Sequence, residues 1–312
     1  MADFFTSLLL LISGLFSGFL STTLSVVNPP LVATHDEEVS ILFAGDMIFD
    51  RSIRVAGEDK GGDFLFSCIA PVLDDADLVV ANLEGPITTH ESMSVGSVIG
   101  TPENFTFTFP TSTATLLKKY NISLVNLGNN HMLNFSREGL VQTKEWLTHA
   151  GVAYFGDPDS PEELRVDRRE INGIPFAFVN WSDWTSDKTD HTVAQVRREV
   201  EAGRVTVVYT HWGEEYVEPT RQMRQLAHSF IDAGAAIVIG SHPHVIQEHE
   251  TYKGKEIYYS LGNFIFDQYW NAEVRTGLLV KVIFDKNGVQ SVKEMKTWLE
   301  RDRRTCLLTD QS

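Results

Sequence analysis

The chain has 312 residues, 43% of them hydrophobic and 22% charged, enough apolar mass for one large globular domain and too much for a disordered chain. Its formal net charge of -16, from 42 acidic against 26 basic residues, sets a diffuse negative field that argues against nucleic acid and anionic membrane surfaces as partners. An anionic substrate stays compatible only where a local cation screens the site.

In chain order, the first feature is the uncharged run from Phe4 to Val27, FFTSLLLLISGLFSGFLSTTLSVV, about long enough to cross a bilayer as a helix. Residues 1–28 therefore read as a signal peptide or an N-terminal membrane anchor, although MADFF lacks the usual basic flank. A buried helix is the alternative, and it would need a shell of protein on every face. NPPLVATHDEEVS follows, with two prolines and an acidic cluster, so residues 29–38 read as a linker. Residues 39–290 then form one domain, and 291–312 are set apart as a C-terminal tail.

Within that domain EVSILFAGD, DADLVVANLE, ISLVNLGNN, RVTVVYTHW, AAIVIGSHP and EIYYSLGNF each read as a short strand. Their near-continuous apolarity means burial on both faces. TSTATLLKKY, SREGLVQTKEWLTHAG and TRQMRQLAHSFIDAG carry helical spacing, the last two with cap-like starts and a closing glycine. EINGIPFAFVNW reads as a hairpin around Asn172-Gly173, and RTGLLVKVIFDKNGV as a closing strand with its own turn. The pattern is α/β, with mixed sheets covered by helices.

Each core strand runs out in polar residues: Gly45-Asp46, Asn82-Leu83-Glu84, Gly128-Asn129-Asn130-His131, His211-Trp212-Gly213, Gly240-Ser241-His242-Pro243-His244 and Gly262-Asn263. Ligands of α/β sheets bind beyond the carboxyl ends of strands. One rim should therefore gather Asp46, Glu84, Asn130, His131, His211, His242 and His244. The two cysteines, Cys68 and Cys306, form neither a disulfide framework nor a zinc ribbon. They read as buried free thiols, with a single disulfide left open. Any metal must then be held by imidazole and oxygen donors, which suits divalent manganese, iron or zinc. Each residue alone has a plainer role: a loop cap for Asp46, a surface ion pair for Glu84, a turn for Asn130, an aromatic contact for His211. Their shared position at strand ends is what makes a site.

The set GDMIFDR, NLEGPIT, NLGNNHMLN, THWGEEY, GSHPHV and SLGNFIFDQ resembles the poly-γ-glutamate capsule biosynthesis family, the CapA/PgsA-like proteins, over about Val39 to Phe284. That family is similar to the calcineurin-like metallophosphoesterases. The resemblance implies a four-layer α-β-β-α sandwich and one or two divalent ions. It implies Asp46, Glu84, Asn130, His211, His242 and His244 as metal ligands, with Glu84 where a bridging aspartate would stand. His131 falls on the acid histidine. Arg51 takes a clamping role on carboxylate or phosphate, its plain alternative being a surface arginine paired with Asp50 or Asp59. One departure stands out: the histidine two residues after the first aspartate is Ile48 here, so one metal position lacks a ligand, and Asp50 could replace it only if the loop curled back. Glu215 is expected to orient a ligand histidine from behind, and Asn263 and Asp267 to buttress the site.

Two functions are implied. One is an exported capsule biosynthesis protein with a metal-dependent, phosphoesterase-like hydrolase site acting on a phosphoester. The other is a non-catalytic, membrane-anchored accessory protein that binds an acidic exopolymer, in a membrane capsule-synthesis complex. A scaffold with a vestigial, metal-free site is the third possibility.

Overall fold

A computed structural model describes residues 38–161, 165–185 and 189–308. The run read as a signal peptide or anchor lies outside the described residues, as does all but the last residue of the linker. Among the described residues no helix is long and apolar enough to cross a membrane.

The strands are β1 (Val39–Met47), β2 (Leu78–Leu83), β3 (Ile122–Asn126), β4 (Ala153–Phe155), β5 (Val166–Ile171), β6 (Ile174–Ser182), β7 (Val205–His211), β8 (Ile237–Ser241), β9 (His249–Tyr252), β10 (Lys255–Tyr258), β11 (Asn263–Ile265), β12 (Thr276–Asp285), β13 (Gly288–Leu299) and β14 (Thr305–Leu307). The helices are α1 (Arg51–Lys60), α2 (Gly62–Phe66), α3 (Ala70–Asp74), α4 (Thr113–Lys119), α5 (Ser136–Ala150), α6 (Thr189–Glu201), α7 (Arg221–Asp232) and α8 (Ala272–Arg275). The first sheet runs β14-β13-β12-β1-β2-β3-β4, with β11 added beside β1; the second runs β5-β6-β7-β8-β10-β9. Strands β1 to β4 are mutually parallel, and so are β6, β7, β8 and β10. Their carboxyl ends therefore open on one rim within each sheet.

Alternate residues of β1 explain the layering. Leu42 and Ala44 pack under the helices α1 to α5, whereas Val39, Ile41 and Phe43 face the other sheet and meet Phe176, Phe178, Val207 and Ile239. The outer face of the second sheet, with Val179, Val208 and Val238, packs on Val196 of α6 and on Leu226 and Phe230 of α7. Three apolar layers thus separate four layers of secondary structure, the expected α-β-β-α sandwich. Strands buried on both faces have no polar side to show, which is why their apolar runs are continuous. Each large side chain in these layers contributes about 1.5–3 kcal/mol by leaving water. The Tyr209 hydroxyl donates to the Ala44 carbonyl at 2.7 Å, a polar tie between the sheets.

The hairpin forms as expected, β5 pairing with β6 around Asn172 (φ 47°) and Gly173 (φ 81°), left-handed conformations that suit these residue types. Thr220 caps α7, accepting from the Met223 amide at 3.1 Å. Ser136 caps nothing and is the first residue of α5. Helix α1, which periodicity did not reveal, starts behind the cap residue Asp50.

Three expectations need correction. EIYYSLGNF is two strands, β10 in the second sheet and β11 in the first, because the chain crosses between sheets at Ser260–Gly262. The crossing runs so close to β1 that a Cβ on Gly45 would stand 1.8 Å from the Gly262 carbonyl oxygen. The segment from residue 291 is no appendage, since β13 pairs with β12 along its length. Finally, Cys68 and Cys306 form a disulfide, with Cα atoms 4.8 Å apart, rather than two free thiols. A separation of 238 residues hid a proximity that arises only when β14 closes the sheet edge. Cross-linking so long a loop restrains the unfolded chain by up to about 5 kcal/mol in the loop-entropy treatment.

Candidate metal centre

Strands β1 and β2 bring two carboxylates together in the interior: Asp46 near the end of β1 and Glu84 just after β2, both fully buried. The Asn82 amide stands between them, donating to Asp46 Oδ1 at 2.8 Å and to Glu84 Oε2 at 3.3 Å. Asn82 is itself held through its oxygen, which accepts from Asn126 at 3.0 Å and Asn129 at 3.1 Å; Asn180 of β6 donates to Asn126 at 2.9 Å. This run of buried amides fixes the acid pair from below and was not singled out by sequence reasoning. Its only signal was the recurrence of asparagine at strand ends.

The imidazoles come from the second sheet. His211 Nδ1 stands 2.9 Å from Ser241 Oγ, whose hydroxyl donates to the Thr210 carbonyl at 2.8 Å, and 3.2 Å from the Asn82 amide nitrogen. His211 Nε2 makes a hydrogen bond with Asn130 Oδ1 at 2.9 Å. His244 is held through its Nδ1. The Asn263 nitrogen donates to three acceptors, the His244 and Val274 carbonyls and Gln268, so its oxygen accepts from His244 Nδ1 at 2.9 Å. His244 Nε2 is left pointing at Glu84 Oε1 across 3.6 Å. Glu84 Oε1 has no hydrogen-bond partner, and neither has His242 Nδ1, although both are buried. Lone pairs meeting lone pairs in a buried site cost free energy unless a cation lies among them. The donor set therefore fits a divalent ion.

Ligand atoms of Asp46, Glu84 and His244 lie within 4.8 Å of one another, and so do those of Glu84, His211 and His242. Glu84 belongs to both groups, one methylene longer than an aspartate in the same place. Backbone conformation around Pro243 makes this possible: His242 and His244 adopt φ of 96° and 57°, strained by about 1–3 kcal/mol for residues with a Cβ. The His242 amide donates to Asp46 Oδ2 at 3.1 Å, tying the strained turn to the first sheet.

Electrostatics follow the burial. Desolvation and the neighbouring Asp46 push Glu84 well above the ordinary carboxylate range. Burial works against ionising Asp46, but the hydrogen bond and charge of His244, the charge of His211 and the Asn82 amide outweigh it and hold its pKa down. Burial lowers His211 well below its usual value. It lowers His242 to about 3, helped by His244. Neutral imidazole is the form that ligates a metal.

The remaining expected residues ring the centre. Burial lowers His131 to about 4; its Nδ1 donates to Asn134 Oδ1 at 3.1 Å, an oxygen that also accepts from the Phe107 amide. The Phe107 ring lies against His131, 4.4 Å between centroids, and against the Arg51 guanidinium at 5.0 Å. Arg51 pairs with Asp267 at 2.6 Å, not with Asp50 or Asp59. Asp50 is committed to Ser92 and the Thr108 amide, and it does not curl back. Ile48 is fully buried in the apolar layer beneath the helices, so that position is turned out of the centre. Trp184, unmarked in the sequence, leans on His242 at 4.2 Å and screens it. Glu215 reaches the rim beside His242 and His244.

A family described as "Bacterial capsule synthesis protein PGA_cap" matches residues 40–268. The chain belongs to that family. PGA_cap proteins have the calcineurin-like metallophosphoesterase type of fold, in agreement with the layers above. The chain is 31% identical to "PGA biosynthesis protein CapA" of Bacillus subtilis (strain 168) over 280 residues, 83% of this chain and 71% of that one. To "Capsule biosynthesis protein CapA" of Bacillus anthracis it is 27% identical over 279 residues, 83% of this chain and 67% of that one. A probable polyglutamine synthesis accessory protein of Mycobacterium tuberculosis (strain ATCC 25618 / H37Rv) is 29% identical over 171 residues, 45% of this chain and 44% of that one. All six residues expected to ligate metal fall within the stretch matched to PGA_cap.

Proposed function

We propose that this PGA_cap protein serves poly-γ-glutamate capsule synthesis outside the cytoplasm and carries a divalent-metal-dependent, phosphoesterase-like hydrolase centre. The observation that supports the centre most is the buried Glu84 Oε1, which has no hydrogen-bond partner, 3.6 Å from His244 Nε2 and grouped with His242, whose buried Nδ1 is likewise unpartnered. The names of the related PGA and capsule biosynthesis proteins support the choice of polymer. Export agrees with the disulfide, a bond that persists in oxidising compartments, and with the uncharged run at residues 4–27.

Asp46, Glu84 and His244 would hold one ion, and Glu84, Asn130, His211 and His242 another; manganese, iron or zinc suits this oxygen and nitrogen set. A bound ion would supply Lewis acidity toward a phosphoryl oxygen and lower the pKa of water. The protein's own groups do the rest. His131, with its Nδ1 proton committed to Asn134, presents an unprotonated Nε2 that takes up a proton and returns it to a leaving alkoxide. Arg51, braced by Asp267 and two phenylalanine rings, keeps N–H groups for a carboxylate or phosphate. Trp184 and the buried amides keep bulk water from the acid pair.

Purified protein with added Mn2+ should cleave a generic phosphodiester or phosphomonoester, and EDTA or His242→Ala should abolish the cleavage. Full activity in His242→Ala would overturn the hydrolase reading. The second reading, a grip on an acidic polymer without turnover, is favoured by the burial of Ile48, which removes one familiar ligand. It predicts polymer binding that is lost with chelator while no phosphoester is cleaved.

A further inference from the structure

The centre is short of a ligand on the side where a histidine is missing, and the structure offers a replacement from another element. The geometry points to Glu215 as a metal ligand that joins His242 and His244 at the rim of the centre, where the side chain at residue 48 supplies nothing. This inference rests on the metal-centre reading above and adds to it a residue that the sequence placed only behind the histidines.

A carboxylate oxygen of Glu215 and ring nitrogens of His242 and His244 lie within 4.8 Å of one another. His244 also belongs to the group with Asp46 and Glu84, so Glu215 approaches the ring they already share. Among the described residues it makes no ion pair; its carboxylate hydrogen-bonds the Tyr216 hydroxyl, and its charge bears on Glu84. Negative groups converging without a cation are costly in a protein of net charge -16.

The loop carrying Glu215 is built for position. Its amide at Tyr216 donates to the Pro243 carbonyl at 2.9 Å and that of Trp212 to Ser241 at 3.2 Å, fastening it to the His-Pro-His turn. Tyr216 sits at φ 63°, a conformation that tyrosine adopts at a cost. The Tyr216 hydroxyl accepts from Gln268 at 2.9 Å, and Gln268 accepts from Asn263, the residue that orients His244. The same bonds thus aim His244 and hold the backbone beside Glu215. Ile48 cannot contribute, being packed in the apolar layer beneath the helices.

The test is a titration of the full chain with Mn2+ by calorimetry, with bound manganese counted by elemental analysis. Glu215→Gln keeps size and removes the charge; Glu214→Gln removes an equal charge one residue away; His211→Ala attacks the other group. The expected result is that Glu215→Gln weakens one Mn2+ at least about 10-fold, while Glu214→Gln changes affinity less than about 3-fold. Melting of the chelated Glu215→Gln protein should match that of the chelated parent, since the side chain is exposed. Equal affinities in Glu215→Gln and parent would overturn the inference, and so would equal losses in Glu215→Gln and Glu214→Gln, which mark a field effect. A parent that binds no Mn2+ would overturn the metal centre itself. Loss in His211→Ala with none in Glu215→Gln would overturn the role of Glu215 alone.

Discussion

The two sheets bring different chemistry to the seam between them. The first contributes oxygen: Asp46, Glu84, and the amides of Asn82, Asn126 and Asn130, all at ends of β1, β2 and β3. The second contributes nitrogen: His211 at the end of β7, then His242 and His244 just beyond β8. Neither half resembles a metal site alone. Carboxylates gathered by the first sheet repel each other, and burial holds His211 and His242 of the second below the usual imidazole range. Only their apposition forms the candidate cage, so the apolar layer between the sheets sets the spacing of its groups. The halves also differ in how they are held: amide side chains fix the acid pair, whereas backbone strain at His242 and His244 aims the imidazoles.

Variants break this comparison to different degrees, and Mn2+ affinity ranks them. Removing a ligand from either sheet, Asp46→Ala or His211→Ala, should weaken binding by at least about 100-fold, beyond the roughly 10–100-fold typical of orienting partners. If only one sheet's variants did so, the shared cage would be wrong. Asn263→Ala, which frees His244 to turn, should fall in the 10–100-fold range, measured by the same titration. Phe178→Ala, in the layer between the sheets, should cost about 3–5 kcal/mol of stability in a denaturant melt and loosen Mn2+ only several-fold through the changed spacing. Cys68→Ser, far from the seam, should lower stability by up to about 5 kcal/mol and leave Mn2+ affinity unchanged. Saturating Mn2+ at about 100 times its dissociation constant should add about 2.7 kcal/mol of stability, raising the melting temperature by about 4 °C for a chain of this length, and EDTA should reverse it.

Much of this was legible in the sequence, for a physical reason. A strand buried on both faces has to be apolar until it leaves the core, so the polar residue that ends it marks the rim; Asp46, His211 and His242 were visible that way. What sequence could not show were relations between distant segments. EIYYSLGNF looks like one strand because nothing in a continuous apolar run reveals a change of sheet, except the glycine that permits it. Cys68 and Cys306 looked independent because they stand 238 positions apart in the sequence. Glu215 looked like a supporting group because its approach to His242 and His244 depends on how the loop after β7 docks on Pro243. Asn82 was quoted as part of a strand end, but its place between two carboxylates follows from the register of β2 against β1, in which Asn82 stands opposite Asp46.

The most direct test is anomalous diffraction from crystals soaked in Mn2+. The account predicts an anomalous peak within coordination distance of Glu84, His211 and His242, with the carboxylate of Glu84 facing it. Anomalous density only elsewhere on the molecule, with ordinary water or nothing among these three side chains, would contradict it.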